Sequence, residues 1–232
     1  MRVVSLVPSS TETLLTLGVD VVGCTKYCEQ PTLTHCGGTK NPDIDAIVAI
    51  APDLVVMDRE ENRLEDHDEM VAAGLTVFVS DVTDVTSALA VVRQLAEAVG
   101  VEYRGVRMLP RAAQEVRPTA FVPIWRRPWI TISATTYGAS VLDHIGIDLV
   151  DVGSPTAYPT VTLDEVAECT PDLVLVPSEP YAFGAGHVDE MHAAMPQARI
   201  VHVDGQDLFW WGSRTPAAIS RLAAALAPPA TP

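Results

Sequence analysis

Aromatic residues occur in several segments that the sequence predicts to be loops. They lie beside arginine, proline and glycine, which are more typical of loops than of element interiors. Flat rings bury a large area at low entropy cost, so together they suit a bulky, ring-bearing ligand. The alternative is core packing, although two adjacent tryptophans cannot both face one core from an extended segment. The aromatic candidates for ligand contact are Tyr27, Trp125, Trp129, Tyr137, Tyr181, Phe183, Trp210 and Trp211.

Charged residues in similar loops could fix the orientation of such a ligand. The two lysines of the chain, Lys26 and Lys40, both fall in predicted loops. Residues 58–69 include seven acids and two arginines, a composition typical of a solvated helix face. The first of these residues directly follow a predicted strand, where ligands of α/β sheets bind. The polar candidates are Lys40, Asp58, Arg59, Glu60 and Glu179.

The sequence does not contain the common catalytic motifs. The phosphate-binding form GxxxxGK[ST] and the nucleophile elbow GxSxG are both absent. Glu60 and Glu179 could serve as acid and base, which leaves an enzyme as one alternative. A zinc or manganese receptor is another, although no spacing supports the ligands that could be nominated. Those are His35, His67, His144 and Asp204, and the cysteines near His35 lack the close pairing of structural zinc sites.

The elements that must position these loops are short apolar runs alternating with helical patterns. Predicted strands cover residues 2–6, 21–24, 53–57, 76–79, 119–124, 173–176 and 200–203. Predicted helices cover residues 8–18 (with Ser9 or Ser10 as N-cap), 43–50, 60–73, 85–99, 106–116, 137–145, 162–168, 187–194 and 215–226. Nearly all-apolar strands joined by helices predict an α/β fold with mainly parallel sheets covered by helices.

A faint internal repeat divides the chain. Residues 43–55 parallel residues 162–174, and each segment has an acid seven residues before a proline, followed by Pro-Asp-Leu-Val. The shared spacing favours duplication over chance. We therefore predict two α/β lobes, residues 1–83 and 118–232, bridged by a helical segment over residues 84–117.

Composition and charge exclude several classes of partner. The 232 residues include 30 acids and 15 bases, giving a net charge of −15. This charge argues against nucleic acid and against an anionic membrane surface, so the expected partner is a small molecule. No signal peptide or spanning segment is recognisable, which predicts a cytoplasmic protein as the sequence stands, or an extracytoplasmic one if the start is truncated. The four cysteines include no CxxC pair.

Several of these motifs together resemble one family. The opening run over residues 4–12, the loop over residues 37–43 and the two Pro-Asp-Leu-Val segments are similar to class III substrate-binding proteins of ABC importers. That family carries cobalamin and ferric siderophores, and the cobalamin branch is the most similar. The resemblance implies two lobes bridged by a rigid helix, with the ligand held in the cleft between them and no enzymatic activity or intrinsic cofactor.

The resemblance also assigns roles to individual positions. Tyr27 falls where an aromatic residue lines the cobalamin cleft, and Asp45 and Asp164 fall on the paired acids that meet arginines of the permease. Both acids are Asp where the family usually has Glu, and Thr39 stands where the family has a tryptophan. The implied ligand is a corrinoid, with a ferric siderophore or haem as the alternative. The implied partner is an ABC permease.

Overall fold

The computed structural model describes residues 1–113 and 115–227. Its internal contacts divide the chain into two compact units. Unit 1 comprises Met1–Val82, Thr86–Val106 and Trp211–Arg214, whereas unit 2 comprises Thr83–Val85, Arg107–Trp210 and the chain from Thr215 onward. The lobe boundaries given above stay a prediction, and each unit is described by itself below.

Unit 1 is built around a five-stranded parallel sheet in the order β3-β2-β1-β6-β7. Its strands are β1 (Arg2–Ser5), β2 (Asp20–Cys24), β3 (Thr34–His35), β6 (Leu54–Asp58) and β7 (Val77–Ser80). A small antiparallel pair is formed by β4 (Gly37–Gly38) and β5 (Asn41–Pro42). The helices are α1 (Pro8–Thr16), α2 (Ile44–Ile50), α3 (Leu64–Ala72) and α4 (Val85–Ala98), whose first residue belongs to unit 2.

Unit 2 contains a four-stranded parallel sheet in the order β11-β8-β13-β14 and a three-stranded antiparallel sheet in the order β12-β10-β9. The first sheet contains β8 (Thr119–Phe121), β11 (Asp148–Leu149), β13 (Leu173–Pro177) and β14 (Arg199–Val203). The second contains β9 (Pro123–Trp125), β10 (Trp129–Thr131) and β12 (Thr160–Val161). The helices are α5 (Tyr137–His144), α6 (Leu163–Glu168), α7 (Ala185–Ala194), α8 (Gly205–Phe209) and α9 (Thr215–Leu226).

Burial of the central strands explains their apolar sequences. β6 and β13 are buried at every residue, as expected for strands of a parallel sheet covered on both faces. In unit 1, Leu6, Ile47 and Met70 belong to one apolar core cluster. In unit 2, Phe121 and Met191 belong to a second cluster. The predicted α/β fold with mainly parallel sheets is therefore confirmed.

The sequence repeat has the same structural role in both units. The Asp53 carboxylate accepts a hydrogen bond of 2.7 Å from the backbone N–H of Arg2, at the start of β1. In the same way, the Asp172 carboxylate accepts one of 2.8 Å from the N–H of Thr119, at the start of β8. Each aspartate thereby fixes the neighbouring strand at the N-terminal end of its own strand, which explains why Pro-Asp-Leu-Val occurs twice.

The helix predicted over residues 106–116 is wrong. Residues 101–113 have no regular secondary structure, so α4 is the helix of the predicted bridge, and Gln114 lies outside the described residues. Pro110 explains the difference because proline has no N–H to donate and its ring clashes with the preceding turn of a helix. Gly105 adds a positive φ of 78° just before this segment.

Two further predictions were wrong in detail. The N-cap of α1 is Val7 and Pro8 is its first residue, so neither Ser9 nor Ser10 caps the helix. Proline suits that position because the N–H of a first helical residue has no partner within the helix. The strand predicted over residues 119–124 is divided into β8 and β9.

No helix among residues 1–113 and 115–227 is long and apolar enough to cross a membrane.

Candidate ligand-binding site

Four of the predicted aromatic residues lie together in unit 2. Trp125 ends β9 and Trp129 begins β10, while Tyr181 and Phe183 lie in the loop between β13 and α7. The ring centroids are 5.2 Å apart for Trp125 and Tyr181, 4.8 Å for Tyr181 and Phe183, and 5.9 Å for Trp129 and Phe183. We call these four residues and His187 the aromatic cluster.

The aromatic cluster extends from the core of unit 2 to its surface. Trp129 is 6% exposed and belongs to the core cluster, whereas Trp125 is 45% exposed. Tyr181 and Phe183 are half-buried between these extremes. Trp129 and Phe183 are nearly parallel, with 9° between their planes, so the buried ring of Trp129 supports the half-buried ring of Phe183. Such a surface offers rigid ring area to a ligand at little entropic cost.

His187 is a member of the aromatic cluster that the sequence did not predict. Its Nδ1 accepts a hydrogen bond of 3.1 Å from the backbone N–H of Gly184, at the start of α7. That bond leaves the proton of the neutral ring on Nε2. The ring also meets Trp129, Tyr181 and Phe183 at steep angles, with centroids 5.6 to 6.4 Å away. The signal that could have identified His187 is its position three residues after Gly184, the glycine that caps the start of α7.

Glu179 and Trp210 form a second pair in unit 2. The indole Nε1–H of Trp210 donates a hydrogen bond of 2.6 Å to Oε1 of Glu179. Gly205, the first residue of α8, lets the two segments approach, because an added Cβ there would lie 2.7 Å from the backbone N and O of Glu179. Both side chains are half-buried, so the carboxylate orients the indole.

Tyr137 and Trp211 are buried, at 7% and 5% exposure. The hydroxyl of Tyr137 lies 2.9 Å from Oγ1 of Thr215, both in unit 2. Trp211 belongs to unit 1, although the adjacent Trp210 belongs to unit 2. Their burial indicates packing roles, and their assignment as ligand contacts stays a prediction.

In unit 1, Asp58 is a buried carboxylate that shapes the loop after β6. It is 3% exposed and accepts hydrogen bonds from the Ser80 hydroxyl at 2.8 Å and the Glu60 N–H at 2.9 Å. Burial raises the pKa of Asp58, and these hydrogen bonds oppose the rise. Asn62, which the sequence did not single out, completes the loop by accepting from the Asp58 N–H at 2.8 Å and donating to the Thr39 carbonyl at 2.8 Å. Asp58 therefore positions the loop, and ligand contact by it stays a prediction.

The other candidates of unit 1 reach its surface. Tyr27 is 53% exposed, and the Nζ of Lys26 lies 5.1 Å from its ring centroid. Lys40 donates to the backbone carbonyl of Glu60. Arg59 forms an exposed ion pair of 2.8 Å with Asp81. Tyr27 is therefore an accessible ring in unit 1, and Lys40 joins two of the predicted loops.

Asp45 and Asp164 occupy equivalent helical positions. Asp45 is the second residue of α2, whose N-cap Asp43 accepts from the Ala46 N–H. Asp164 is the second residue of α6, which begins with a capping box formed by Thr162 and Glu165. Both aspartates are exposed. The repeat thus presents one acid from the first turn of an equivalent helix in each unit.

The thiols near the N-terminus are buried in unit 1. Cys24, Cys28 and Cys36 are all free and at most 3% exposed. Hydrogen bonds from the thiol of Cys24 and from the hydroxyls of Thr11 and Thr25 outweigh burial and lower the pKa of Cys28 to about 6. Among the residues that the structure describes, no group of three or more His, Cys, Asp or Glu side chains is arranged to hold a metal ion.

Comparison with known families defines the class of this chain as a binding protein of the periplasmic type. The sequence pattern described as "Periplasmic binding protein" matches residues 3–120, and the chain belongs to that family. The vitamin B12-binding protein of Photorhabdus laumondii is 23% identical over 193 residues, which cover 76% of this chain and 70% of that protein. The vitamin B12-binding protein of Yersinia pestis is 24% identical over 192 residues, covering 75% and 69%.

Solved structures confirm the fold. The periplasmic vitamin B12 binding protein BtuF of Vibrio cholerae matches with a TM-score of 0.76 and 18% identity, covering 97% of this chain and 96% of that one. The periplasmic haem-binding protein HutB of the same organism matches with a TM-score of 0.79 and 22% identity, covering 98% and 99%. The resemblance drawn from the sequence motifs is thereby confirmed.

Proposed function

We propose that this chain binds a corrinoid, or a related macrocyclic metal chelate such as haem, as the cargo of an ABC importer and without chemistry of its own. The observation that carries the proposal is the aromatic cluster, whose rings run from the buried Trp129 to the exposed Trp125. A planar macrocycle gains most from rigid, partly exposed rings of this kind. Family membership and relatives named for vitamin B12 and for haem support the same class of ligand.

Polar groups of unit 1 complete the proposal. Tyr27 offers an exposed ring, and Lys40 and Arg59 offer cations for the amide or carboxylate groups at the edge of a macrocycle. Membership of a periplasmic family favours an extracytoplasmic location, which we include in the proposal. A ferric siderophore is the second candidate ligand, because arginine and lysine would suit an anionic chelate.

The experiment adds cyanocobalamin, haemin, a ferric hydroxamate siderophore or zinc chloride to the pure protein and follows thermal unfolding and visible spectra. A ligand at about 100 times its dissociation constant stabilises the folded protein by about 2.7 kcal/mol, which raises the Tm of a chain of this size by about 5 to 11 °C. We expect this shift with cyanocobalamin or haemin. A shift with zinc alone would overturn the proposal in favour of a metal-ion receptor.

Variants of the exposed rings test whether the aromatic cluster is the binding surface. Trp125→Ala and Tyr181→Ala should each weaken binding of the macrocycle about 5- to 30-fold, the usual cost of removing a central aromatic contact. The unliganded Tm should change little, because both side chains are partly exposed. Tyr103→Leu, in the segment after α4, is the control and should bind as the wild type does. Equal affinities in all the proteins would show that the ligand binds elsewhere.

We also propose that Asp45 and Asp164 dock the protein on a permease. Their equivalent exposed positions support this role, since each offers a carboxylate to a basic partner surface. Asp45→Asn and Asp164→Asn should lower ligand-dependent stimulation of the permease ATPase while leaving ligand affinity unchanged. Glu168→Gln, an exposed acid at the end of α6, is the matched control. Unchanged stimulation by both Asn variants would exclude this docking surface.

A further inference from the structure

One charged pair joins the two segments that carry the aromatic cluster. Arg126 lies in the turn between β9 and β10, next to Trp125, and Glu190 lies in α7, which follows the loop of Tyr181 and Phe183. The Nε and Nη2 atoms of Arg126 donate to the same carboxylate oxygen of Glu190, at 3.1 and 2.7 Å. The pair therefore spans from the hairpin to the helix.

The same guanidinium also rests on a ring of the aromatic cluster. Its central carbon lies 4.7 Å from the ring centroid of Trp129, within the range of a cation–π interaction. Trp129 is held in the core of unit 2 together with Met191, the residue of α7 that follows Glu190. Arg126 thus lies between Trp129, which belongs to that core, and Glu190, whose neighbour in α7 does.

The turn that carries Arg126 needs contacts of this kind. Arg127, its neighbour, has a φ of 74°, a left-handed conformation that is unfavourable for a non-glycine residue. A turn with such strain is not set by local preference, so tertiary contacts must hold it. The Arg126 side chain is 21% exposed and that of Glu190 is 44% exposed, and an ion pair at this exposure adds little to global stability. The ion pair instead holds the turn in position against α7.

We propose that Arg126 and Glu190 act as a clamp that positions Trp125 against Tyr181 and so sets the affinity for the macrocycle. This inference rests on the proposed function for the ligand, but the clamp itself is a property of the unliganded protein. Arg126 is a positioning residue here, since its Nε and Nη2 atoms donate to Glu190 and its guanidinium packs on the ring of Trp129. Lysine could supply the charge but not the flat donor geometry.

The experiment is a double-mutant cycle with Arg126→Ala, Glu190→Ala and the double variant. Dissociation constants are measured for cyanocobalamin and haemin, and near-ultraviolet circular dichroism reports the coupled rings without ligand. We expect each single variant and the double variant to weaken binding by the same factor, about 3- to 30-fold, and to reduce the aromatic signal equally. Arg126→Lys should retain only part of the affinity and only part of the aromatic circular dichroism signal. Arg111→Ala, which removes a partner of Asp143 in the same unit, is the control and should change neither.

The cycle separates the clamp from direct recognition of the ligand. If Arg126 bound an anionic group of the ligand, Glu190→Ala would release it and strengthen binding, and that result would overturn the clamp. Additive losses or an unchanged aromatic signal in Arg126→Ala would overturn it as well. If the wild type binds neither probe, the proposed function fails. The circular dichroism of the unliganded variants then still decides whether the clamp orders the rings.

Discussion

Gly212 is a position where a single added methyl group should strongly destabilise the protein. It belongs to the segment Trp211–Arg214, which packs in unit 1, and its φ is 113°. A Cβ at this position would lie 2.1 Å from Oγ1 of Thr13 in α1. That hydroxyl is buried, donates to the Ser9 carbonyl at 2.9 Å and accepts from the Ser213 N–H at 3.1 Å. Thr13 therefore cannot move aside without losing hydrogen bonds.

The cost of Gly212→Ala has three contributions. The backbone strain of a non-glycine residue at this φ is about 1 to 3 kcal/mol. Displacing Thr13 costs about 1 kcal/mol for a lost hydrogen bond, and relieving the remaining overlap costs about 1 kcal/mol or more. Together they lower the free energy of unfolding by about 3 to 5 kcal/mol. For a chain of this size, that corresponds to a Tm lower by about 6 to 20 °C.

Urea denaturation and calorimetry of Gly212→Ala measure this loss, and Gly74→Ala is the matched control. Gly74 has a φ of 83° with no atom within 4 Å of an added Cβ, so it carries the strain without the overlap. The control should lose about 1 to 2 kcal/mol. Thr13→Ala in the Gly212→Ala background should recover part of the overlap cost. If Gly212→Ala costs no more than Gly74→Ala, the close packing of this segment on α1 is refuted.

Two further predictions concern titrating groups. Alkylation of Cys28 by iodoacetamide, followed by mass spectrometry, should be slow because the thiol is buried, with a pH midpoint near its pKa of about 6. A midpoint above pH 8 would show that the thiolate is not stabilised. At Asp143, hydrogen bonds from Arg111 and Arg117 outweigh burial and lower the pKa. Asp143→Asn should therefore reduce stability at pH 7 by up to about 1 kcal/mol. The difference should shrink as the pH falls below about 4, where the unfolded carboxyl is protonated, and vanish only below the lowered pKa of the folded carboxyl. A difference that stays constant as the pH falls through this range would contradict the prediction.

The central strands of both parallel sheets could be predicted because burial on two faces leaves a continuous apolar run in the sequence, whereas short strands such as β3 and β11 leave no such run. Pro-Asp-Leu-Val added a second signal, since Asp53 and Asp172 make the same backbone contact in each unit. The helix predicted over residues 106–116 is wrong because apolar periodicity takes no account of Pro110, which excludes a regular helix there. Periodicity reports which side chains can face a core, but backbone donors decide whether the helix forms.

For the candidate site, the sequence could indicate which aromatic residues to group, and ligand contact by them stays a prediction. Trp125, Trp129, Tyr181 and Phe183 were proposed from their loop context and do lie together. The burial of Asp58, Tyr137 and Trp211 could not be deduced in this way, because burial depends on what the rest of the chain places around a residue. Glu190 was missed for the same reason, since its contact with Arg126 joins positions 64 residues apart.

The repeat explains how one scaffold carries two loops of different chemistry at equivalent positions. The loop after β6 in unit 1 and the loop after β13 in unit 2 follow equivalent strands and lead into equivalent helices, α3 and α7. The first is organised by polar groups, with the Asp58 carboxylate and the Asn62 amide satisfying backbone atoms. The second carries the rings of Tyr181 and Phe183. Because the sheets fix where each loop begins and ends, the loops could diverge in chemistry without cost to the core. If the proposed function holds, the ligand preference of this chain is set by loop residues and by the contacts, such as the one between Arg126 and Glu190, that hold them.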